Sequence, residues 1–477
     1  MTKQNLSLML IMLLLPALTH ATEIVSTLAD QQEVAVTIYN DDLALVRDRR
    51  QVPLPKGAAA LALREVSARM RPETALLRSL SHPQELAVFE QNFDFDLLTP
   101  GKLLEKYVGR EVQIVRTHPQ TGADQPETAT VLAANEGVVL KVGDRIETGL
   151  PGRLVFPDVP ATLRDRPTLV VDLESGSAAK QQLELSYLTG GLGWQADYVA
   201  GLSADEKTLD LSGWVTLTNQ SGTTYRNARL QLVAGDVNRV RDELRLQRGM
   251  VMEDAMVKTA APMMAEESLF EYHLYTLQRP TTLKENQTKQ VALLDATGVP
   301  LRKEFRLNGG SHYYQGLYGD LGQKLKVAVF VEFDNRKTSQ LGMPLPKGIV
   351  RVYKQDRSGQ PQFIGEDRID HTPENETVRL KLGEAFDVTA NRKQTDFRKL
   401  GGDSRHNYRF ESAFEIVLKN AKDEAITITV VEPVPGDWKV LAENHKHRKG
   451  AANAAVWEVP VPAKGETVLT YRVEVNY

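Results

Sequence analysis

Hydrophobic and polar residues alternate with a period of two along most of this chain. In the segment 326–333 every second residue is apolar from Val327 to Phe333, and the segment 468–475 repeats the pattern. Such alternation is typical of antiparallel strands that bury one face against a second sheet. Helical periodicity is scarce, so the pattern predicts an all-β fold with multiple β-sandwich, immunoglobulin-like domains.

Several of the predicted strands end in asparagine and are followed by a polar turn. These residues are Asn40, Asn219, Asn335 and Asn420. Asparagine suits a turn because its side chain can bond its own backbone and because it tolerates a positive φ. Short strands separated by such turn signals favour β-sandwiches.

One segment departs from this alternation. The sequence of 99–109 predicts a short helix, in which Thr99 is the cap, Pro100 is the first helical residue and Gly109 closes the last turn. Four or five short predicted strands follow it. We therefore predict an inserted SH3-like or Sm-like small β-barrel with a short leading helix at 98–160.

The domain organisation that follows has seven parts. They are a signal peptide at 1–21, an N-terminal β domain at 22–97, the small barrel at 98–160, the first part of a central β-sandwich at 161–240, a Met-rich flexible loop at 241–270, the second part of the central sandwich at 271–400, and a C-terminal immunoglobulin-like domain at 401–477. The loop contains five of the ten methionines. A helical Met-rich face that binds apolar partners is the alternative for this segment.

The first twenty-one residues have the layout of a secretory signal peptide. Lys3 follows the positive amino terminus, 6–18 is mainly apolar, and 19–21 has a small residue at each end. A membrane span needs about 20 apolar residues, which is more than this run supplies. We therefore predict cleavage between Ala21 and Thr22 and a periplasmic or secreted bacterial protein, with an uncleaved anchor as the alternative.

Composition narrows the possible chemistry. The chain has no cysteine, which excludes a lipoprotein anchor, disulfides, a cysteine nucleophile and iron–sulfur clusters. The net charge is −4 and no basic block interrupts the mixed charges, so nucleic acid is not an expected partner. No long apolar stretch follows residue 21, so we expect no transmembrane span in the mature chain.

Catalytic and metal-binding motifs find little support. Asp403, Ser404 and His406 are too close in sequence to form a triad, and the chain has no Gly-x-Ser-x-Gly elbow. The acidic residues around His371 match no EF-hand spacing, and the histidines of 445–449 lie beside lysine and arginine. We therefore assign no catalytic residue, no metal ligand and no cofactor.

The best candidate for ligand binding is a Gly-rich turn near the middle of the chain. Its candidate residues are His312, Tyr313, Tyr314 and Tyr318. The flat rings of tyrosine could stack on sugar rings or on a peptide, and each ring also offers a polar tip. The alternative is a hairpin tip whose tyrosines pack on the neighbouring sheet. The four tryptophans lie in or beside predicted strands and are expected to be core anchors.

Separated motifs between residues 192 and 438 occur in a recognisable order. They are Leu-Gly-Trp-Gln-Ala-Asp-Tyr at 192–198, Tyr-His-Leu-Tyr at 272–275, Gly-Met-Pro-Leu-Pro-Lys-Gly-Ile-Val-Arg-Val-Tyr at 342–353, Gly-Glu-Ala-Phe-Asp-Val at 383–388 and Pro-Gly-Asp-Trp at 435–438. With these motifs the chain resembles the bacterial exported domain-of-unknown-function family four-one-three-nine, which is related to the proteins called mucoidy inhibitor A. The resemblance implies an envelope location and a β-sandwich architecture, and it carries over no catalytic residue.

Two hypotheses for the function remain at this point. The first is a non-enzymatic protein that binds or scaffolds an envelope component, either a protein or a polysaccharide, with edge strands suited to strand addition. The second is a hydrolase of envelope polysaccharide whose carboxylates are distant in sequence. Two carboxylates about 5–10 Å apart in a cleft would favour the hydrolase.

Overall fold

The computed structural model describes residues 23–40, 42–135, 137–150, 152–160, 163–235, 238, 264–401 and 408–477. The predicted signal peptide, its cleavage site at Ala21 and Thr22, most of the Met-rich loop and the segment 402–407 lie outside these residues. Strands make up most of the described chain, which confirms the predicted all-β fold. Within the described ranges, no helix has the length and apolar character needed to cross a membrane.

The described residues form thirty strands. The first eleven are β1 (Glu23–Ser26), β2 (Gln31–Tyr39), β3 (Leu43–Leu54), β4 (Gly57–Arg64), β5 (Leu76–Ser79), β6 (Leu86–Asp94), β7 (Glu111–Thr117), β8 (Asp124–Ala133), β9 (Val139–Val142), β10 (Arg145–Thr148) and β11 (Arg153–Val155). The next eight are β12 (Thr168–Ser175), β13 (Ala179–Thr189), β14 (Leu192–Leu202), β15 (Thr208–Asn219), β16 (Tyr225–Ala234), β17 (Met264–Leu269), β18 (Tyr272–Leu277) and β19 (Thr281–Leu283).

The remaining strands belong to the second half of the chain. They are β20 (Gln287–Asn308), β21 (Asp320–Asp334), β22 (Gly348–Gln355), β23 (Pro361–Ile369), β24 (Thr377–Leu400), β25 (Arg409–Asn420), β26 (Ile426–Pro433), β27 (Asp437–Glu443), β28 (Arg448–Ala451), β29 (Ala454–Val461) and β30 (Gly465–Asn476). One α-helix, α1 (Pro100–Lys106), and three 3-10 helices at Pro72–Thr74, Ser311–Tyr314 and Lys337–Ser339 complete the described elements.

The inserted segment begins with α1, as predicted. The hydroxyl of Thr99 accepts a hydrogen bond from the Lys102 backbone N–H at 3.2 Å, and Gly109 has a φ of +81° after the helix. Strands β7 to β11 then form a five-stranded sheet in the order β10-β9-β8-β7-β11. In the described part of the chain β10 and β11, which are four and three residues long, do not pair with each other, so the predicted small barrel is a sheet that does not close.

The N-terminal part of the chain and the central part share one hydrophobic core, which we call the larger core. It runs from Val34 to Leu380. Strands on both sides of the predicted boundary at residue 161 pair with each other: β12 pairs with β4 and β6, and β13 pairs with β3 and β5. The four-stranded sheet β1-β4-β12-β6 and the eight-stranded sheet that contains β2, β3, β13 and β16 are therefore each built from both parts.

The end of the predicted Met-rich loop is a strand. Met264–Leu269 forms β17, which pairs with β18 along its full length, and the side chain of Met264 is buried in the larger core. Residues 241–263 of the predicted loop lie outside the described part of the chain. The predicted loop therefore does not extend to residue 270, because a strand begins at Met264.

Three long strands, β20, β21 and β24, join the larger core to a second core at the C-terminal end. They are 22, 15 and 24 residues long. In β20, Leu301 packs in the larger core, whereas Phe305 and Leu307 pack in the second one. The second core, which we call the C-terminal core, runs from Phe305 to Val475 and contains Trp438 and Trp457. Continuous hydrogen-bonded strands therefore connect the two cores.

Three of the four asparagines that end predicted strands, Asn219, Asn335 and Asn420, are buried anchors of their turns. The Nδ2 group of Asn219 donates to the carbonyls of Thr223 and Leu283, at 2.9 and 3.1 Å. Asn420 donates to two carbonyls, at 2.8 and 3.0 Å, and Asn335 donates to three, at 2.9, 2.9 and 3.4 Å. Each of these side chains also accepts a backbone N–H two or more residues further on. The repeated turn signal thus corresponds to a repeated hydrogen-bonding arrangement.

Candidate functional site

The predicted ligand-binding turn connects β20 to β21 and contains the 3-10 helix Ser311–Tyr314. Tyr314 is fully buried, and its ring lies edge-on to Phe414 with 5.2 Å between the centroids. Its hydroxyl is 3.2 Å from the Glu432 carboxylate and 2.9 Å from the Tyr471 hydroxyl. Tyr314 therefore anchors the turn in the C-terminal core and has no exposed face for a ligand.

A single buried glutamine fixes the rest of the turn. The side-chain amide of Gln394 donates to the carbonyls of Tyr313 and Gly316, at 3.2 and 3.0 Å, and its oxygen accepts the Tyr318 N–H at 2.7 Å. The backbone N–H of Gln394 also donates to the Gly319 carbonyl, at 2.7 Å. Four hydrogen bonds to one residue of β24 hold the turn in one conformation.

The exposed part of the turn is an aromatic cluster. The ring of His312 lies 4.5 Å from that of Tyr313 and 5.8 Å from that of Tyr318, centroid to centroid. His312 and Tyr318 are exposed, Tyr313 is half-buried, and the neighbouring Leu317 is 75% exposed. The structure thus divides the four predicted residues into one core anchor and three residues that line a surface.

A buried ion pair lies directly beneath this surface. The Arg392 guanidinium is 5.2 Å from the centroid of the Tyr313 ring, and its Nη2 donates to the Glu432 carboxylate at 2.5 Å. Nη1 donates to the Asn308 carbonyl at 3.3 Å, and the buried Nε has no hydrogen-bond partner among the described residues. Burial raises the pKa of the Glu432 carboxyl, although the charge of Arg392 opposes that shift.

Close packing explains one of the glycines before the turn. A Cβ atom on Gly309 would lie 1.9 Å from Oε2 of Glu432. Any other residue at this position would therefore displace the buried carboxylate. The glycine allows β20 to approach the ion pair, and it serves no phosphate loop.

Sequence reasoning missed a second group of aromatic residues that extends the exposed cluster. The Gln315 side chain lies 3.5 Å from the Tyr477 hydroxyl, and the rings of Tyr477, Phe410 and Phe397 follow at centroid distances of 5.9 and 5.7 Å. Tyr408, which is 55% exposed, lies at the same edge. These residues are far apart in the sequence, and the pairing of β24, β25 and β30 brings them together.

The polar residues beneath the turn did leave a signal in the sequence. In β24, Val388, Ala390, Arg392 and Gln394 share one face, and all four are buried. Arginine and glutamine on an otherwise apolar face of a strand indicate a buried polar network, because an unpartnered polar group is costly there. Attention to that face would have identified both side chains.

A second concave surface lies on the outer face of the eight-stranded sheet. This charged groove has a volume of about 480 Å³ and is lined by Glu33, Ala35, Arg47, Arg49, Glu184, Arg229, Gln231 and Thr276, among others. Arg49 bridges two carboxylates, since its Nη1 is 2.8 Å from Glu33 and its Nε is 2.8 Å from Glu184. The groove belongs to the eight-stranded sheet, whereas the aromatic turn joins two strands of the thirteen-stranded sheet.

Neither histidine region considered for a metal has a ligand arrangement. The Glu443 carboxylate accepts a hydrogen bond from Nδ1 of His447 at 2.9 Å and another from the Trp457 indole N–H at 2.9 Å. The His371 ring nitrogen accepts the Lys347 backbone N–H at 3.2 Å. Over the ranges that the structure describes, no three histidine, aspartate or glutamate side chains converge on one point as metal ligands do.

Comparison with known proteins gives one result that identifies a family. A search of curated proteins gave no match. The family described as Domain of unknown function (DUF4139) matches residues 183–477, which is more than half of the chain. The matched region begins within β13 and includes the aromatic turn, the three long strands and the whole C-terminal core. The chain therefore belongs to the family Domain of unknown function (DUF4139).

Proposed function

We propose that this protein is exported to the bacterial cell envelope and binds an envelope polysaccharide there without acting on it chemically. The observation that carries the proposal is the aromatic turn, which presents the rings of His312 and Tyr318 on a rigid support. Tyrosine and histidine rings offer a flat apolar face to a sugar ring together with polar atoms at their edges. A surface held in one conformation binds without the entropic cost of ordering a loop.

The support for this turn is unusually complete for an exposed segment. Gln394 holds three of its backbone groups, and Tyr314 ties it to the core through two hydroxyl contacts. Loops that carry binding residues on a rigid scaffold are a common arrangement in binding proteins. The Phe397, Phe410 and Tyr477 rings lengthen the same surface, which suits a chain of sugar units better than a single small molecule.

A glycan-binding assay tests the proposal. The mature protein is applied to immobilised envelope polysaccharides, and its affinity is compared with that of a His312→Ala/Tyr318→Ala double variant. We expect the double variant to bind about tenfold more weakly, which corresponds to the loss of two stacking contacts. Phe89→Ala is the matched control, because Phe89 is 68% exposed on a different sheet. Equal affinity of wild type and double variant would contradict the proposal.

The export part of the proposal has a separate test. The N-terminal layout and the motifs that relate the chain to mucoidy inhibitor A proteins both support an envelope location. Mass spectrometry of protein recovered from the periplasm should find a mature chain that begins at Thr22, after Ala21. Recovery of the exported protein with Met1 intact would show that no signal peptide is removed.

The alternative function is hydrolysis of an envelope polysaccharide. A glycoside hydrolase needs two carboxylates in one cleft, and the charged groove contains Glu33 and Glu184, which both contact the Arg49 guanidinium. A general acid needs a raised pKa, however. Desolvation acts to raise the pKa of Glu184, but hydrogen bonds from Arg49 and Arg78 outweigh it and hold that pKa below its usual value. Release of new reducing ends by the wild type, lost in Glu184→Gln, would favour the hydrolase.

A further inference from the structure

The charged groove is built from five neighbouring strands, β18, β16, β2, β3 and β13. Strand pairing places Arg229 of β16 opposite Ala35 of β2, and Ala35 opposite Arg47 of β3. The two arginines therefore flank one small residue, with their backbones about 10 Å apart across two strand spacings. Because alanine leaves room between two long side chains, this row forms a recess with a cation on each side.

The next row of the sheet is a ladder of alternating charge. Glu33, Arg49, Glu184 and Arg78 occupy successive paired positions on β2, β3, β13 and β5. The contacts between neighbours are 2.8, 2.8 and 3.0 Å, and Glu184 is nearly fully buried. These four charges neutralise one another within the sheet. The positive charge that is not neutralised in this part of the sheet therefore comes from the first-row arginines, Arg47 and Arg229.

The first-row arginines are available to a ligand. Arg47 is exposed and makes no hydrogen bond or ion pair with any described residue. Arg229 reaches Glu33 at 3.1 Å but remains 70% exposed, and Glu33 is already shared with Arg49. The lining of the groove contains Arg47, Arg49 and Arg229 against Glu33 and Glu184, which gives three positive charges and two negative ones.

We propose that the charged groove binds an acidic carbohydrate, with a sugar carboxylate held above Ala35 between Arg47 and Arg229. Guanidinium groups suit this role because their planar fork donates two parallel hydrogen bonds to a carboxylate. The site lies on a different surface from the aromatic turn and does not require that turn to bind a ligand. It adds a charged ligand class to the proposed function.

The other side chains of the groove match the remainder of such a ligand. The Gln231 amide contacts the hydroxyls of Thr37 and Thr276, each at 3.3 Å, so the wall beside Ala35 is polar and not apolar. Amides and hydroxyls of this kind pair with sugar hydroxyls. A volume of about 480 Å³ is in the range of sites that enclose small organic ligands and far exceeds what a single phosphate ion fills.

Binding of defined oligosaccharides to the full mature chain tests this inference. Calorimetry compares an oligogalacturonate, a neutral malto-oligosaccharide of the same length and inorganic phosphate. We expect the wild type to bind the oligogalacturonate, more weakly at high salt, and to bind the other two at least about tenfold more weakly. Equal binding of inorganic phosphate would overturn the assignment of a carbohydrate. No measurable binding of the oligogalacturonate would overturn the site.

Variants then locate the binding. An Arg47→Gln/Arg229→Gln double variant should lose about tenfold or more in affinity for the oligogalacturonate, since two charge-assisted contacts are removed. An Arg357→Gln/Arg368→Gln double variant, at two exposed positions in and beside β23, controls for the loss of two positive charges. Unchanged affinity in the double variant would place the binding elsewhere. His312→Ala/Tyr318→Ala should leave this affinity unchanged, so that failure at one surface is distinguishable from failure at the other.

Discussion

The larger core and the C-terminal core each bury one arginine–carboxylate pair, and the two pairs differ in how completely they are satisfied. In the larger core, Arg50 donates to Asp48 from both Nε and Nη2, at 2.9 and 2.8 Å. It also donates to the carbonyls of Ser26 and Arg64, at 3.0 and 2.8 Å. In the C-terminal core, Arg392 makes one short bond to Glu432, a longer bond to a carbonyl, and none through Nε.

This difference indicates different roles for the two pairs. A buried ion pair stabilises a fold only where hydrogen bonds replace nearly all the water that its charges lose. The Arg50 pair meets that condition and fastens β3 to β1 and β4. The Arg392 pair meets it only partly, and it lies beneath the exposed aromatic turn. An incompletely satisfied pair at that position is consistent with support of a binding surface at some cost in stability.

The largest expected effect concerns the aromatic side chains around the second pair. Trp457 is fully buried, its indole N–H donates to Glu443 at 2.9 Å, and its ring is 4.6 Å from Tyr471. Because Tyr471 contacts Tyr314, Trp457→Ala should loosen the stack beneath the turn and cost about 3–5 kcal/mol. Denaturant unfolding of the full mature chain measures this cost.

Trp194 provides the control for that variant, because it is only half-buried at the margin of the larger core. Trp194→Ala should cost clearly less than Trp457→Ala. The reverse order would show that Trp457 contributes little to the C-terminal core and that the aromatic stack is not what holds the turn.

The two buried arginines should differ in the cost of their removal. Arg50→Met removes both hydrogen bonds that Asp48 accepts from Arg50 and leaves the Asp48 carboxylate buried without its partner charge. It should lower the free energy of unfolding by about 3–5 kcal/mol, the usual range for breaking a buried pair. Arg392→Met should cost about 2 kcal/mol, because Glu432, whose pKa burial already raises, can take up a proton and become neutral. The unfolding free energies of the two variants at neutral pH measure these costs. Equal costs would mean that the two ion pairs are equally well satisfied.

Local features of this fold were predictable from the sequence, and the features that depend on register were not. Thr99 and Pro100 identified the start of α1, and the asparagines at strand ends identified buried turn anchors. Each of these signals acts through its own neighbours in the chain. Closure of the small sheet could not be read in this way, because it depends on whether two short edge strands meet in space.

In the candidate site, too, the locally determined features were predictable and those that depend on strand pairing were not. The sequence drew attention to His312 and Tyr318 because aromatic residues in a Gly-rich turn are visible locally. It could not show that Tyr314 points into the C-terminal core, or that Tyr477 and Phe410 lie beside the turn. Those facts depend on the pairing of β24, β25 and β30, in which paired residues are 9 to 32 positions apart between β24 and β25 and 45 to 67 apart between β25 and β30. Non-local pairing is the part of a β fold that local patterns specify least.

The smallest predicted effects are opposite pH dependences at two glutamates. The Glu206 carboxylate lies between the ammonium groups of Lys303 and Lys354, each 2.5 Å away. Desolvation acts to raise the pKa of Glu206, but the two lysines outweigh it and lower that pKa to about 2. A lowered folded-state pKa contributes stability above the ordinary value of 4.5 that is lost as the pH falls toward 2. Glu206→Gln should therefore cost about 1–2 kcal/mol at neutral pH, after allowance for solvent screening, and little near pH 2.

Glu432 should behave in the opposite way. Its folded-state pKa is raised, so the folded protein keeps a proton that the unfolded chain has already released. The stability from this group is then greatest below the ordinary carboxyl pKa and falls as the pH rises through the raised value. Relative to the wild type, Glu432→Gln should therefore gain stability with rising pH while Glu206→Gln loses it.

Denaturant midpoints of the three proteins between about pH 3 and 8 measure both slopes. Parallel curves for the two variants would mean that Arg392 satisfies Glu432 as fully as Asp48 is satisfied by Arg50, and the contrast between the two cores would fail.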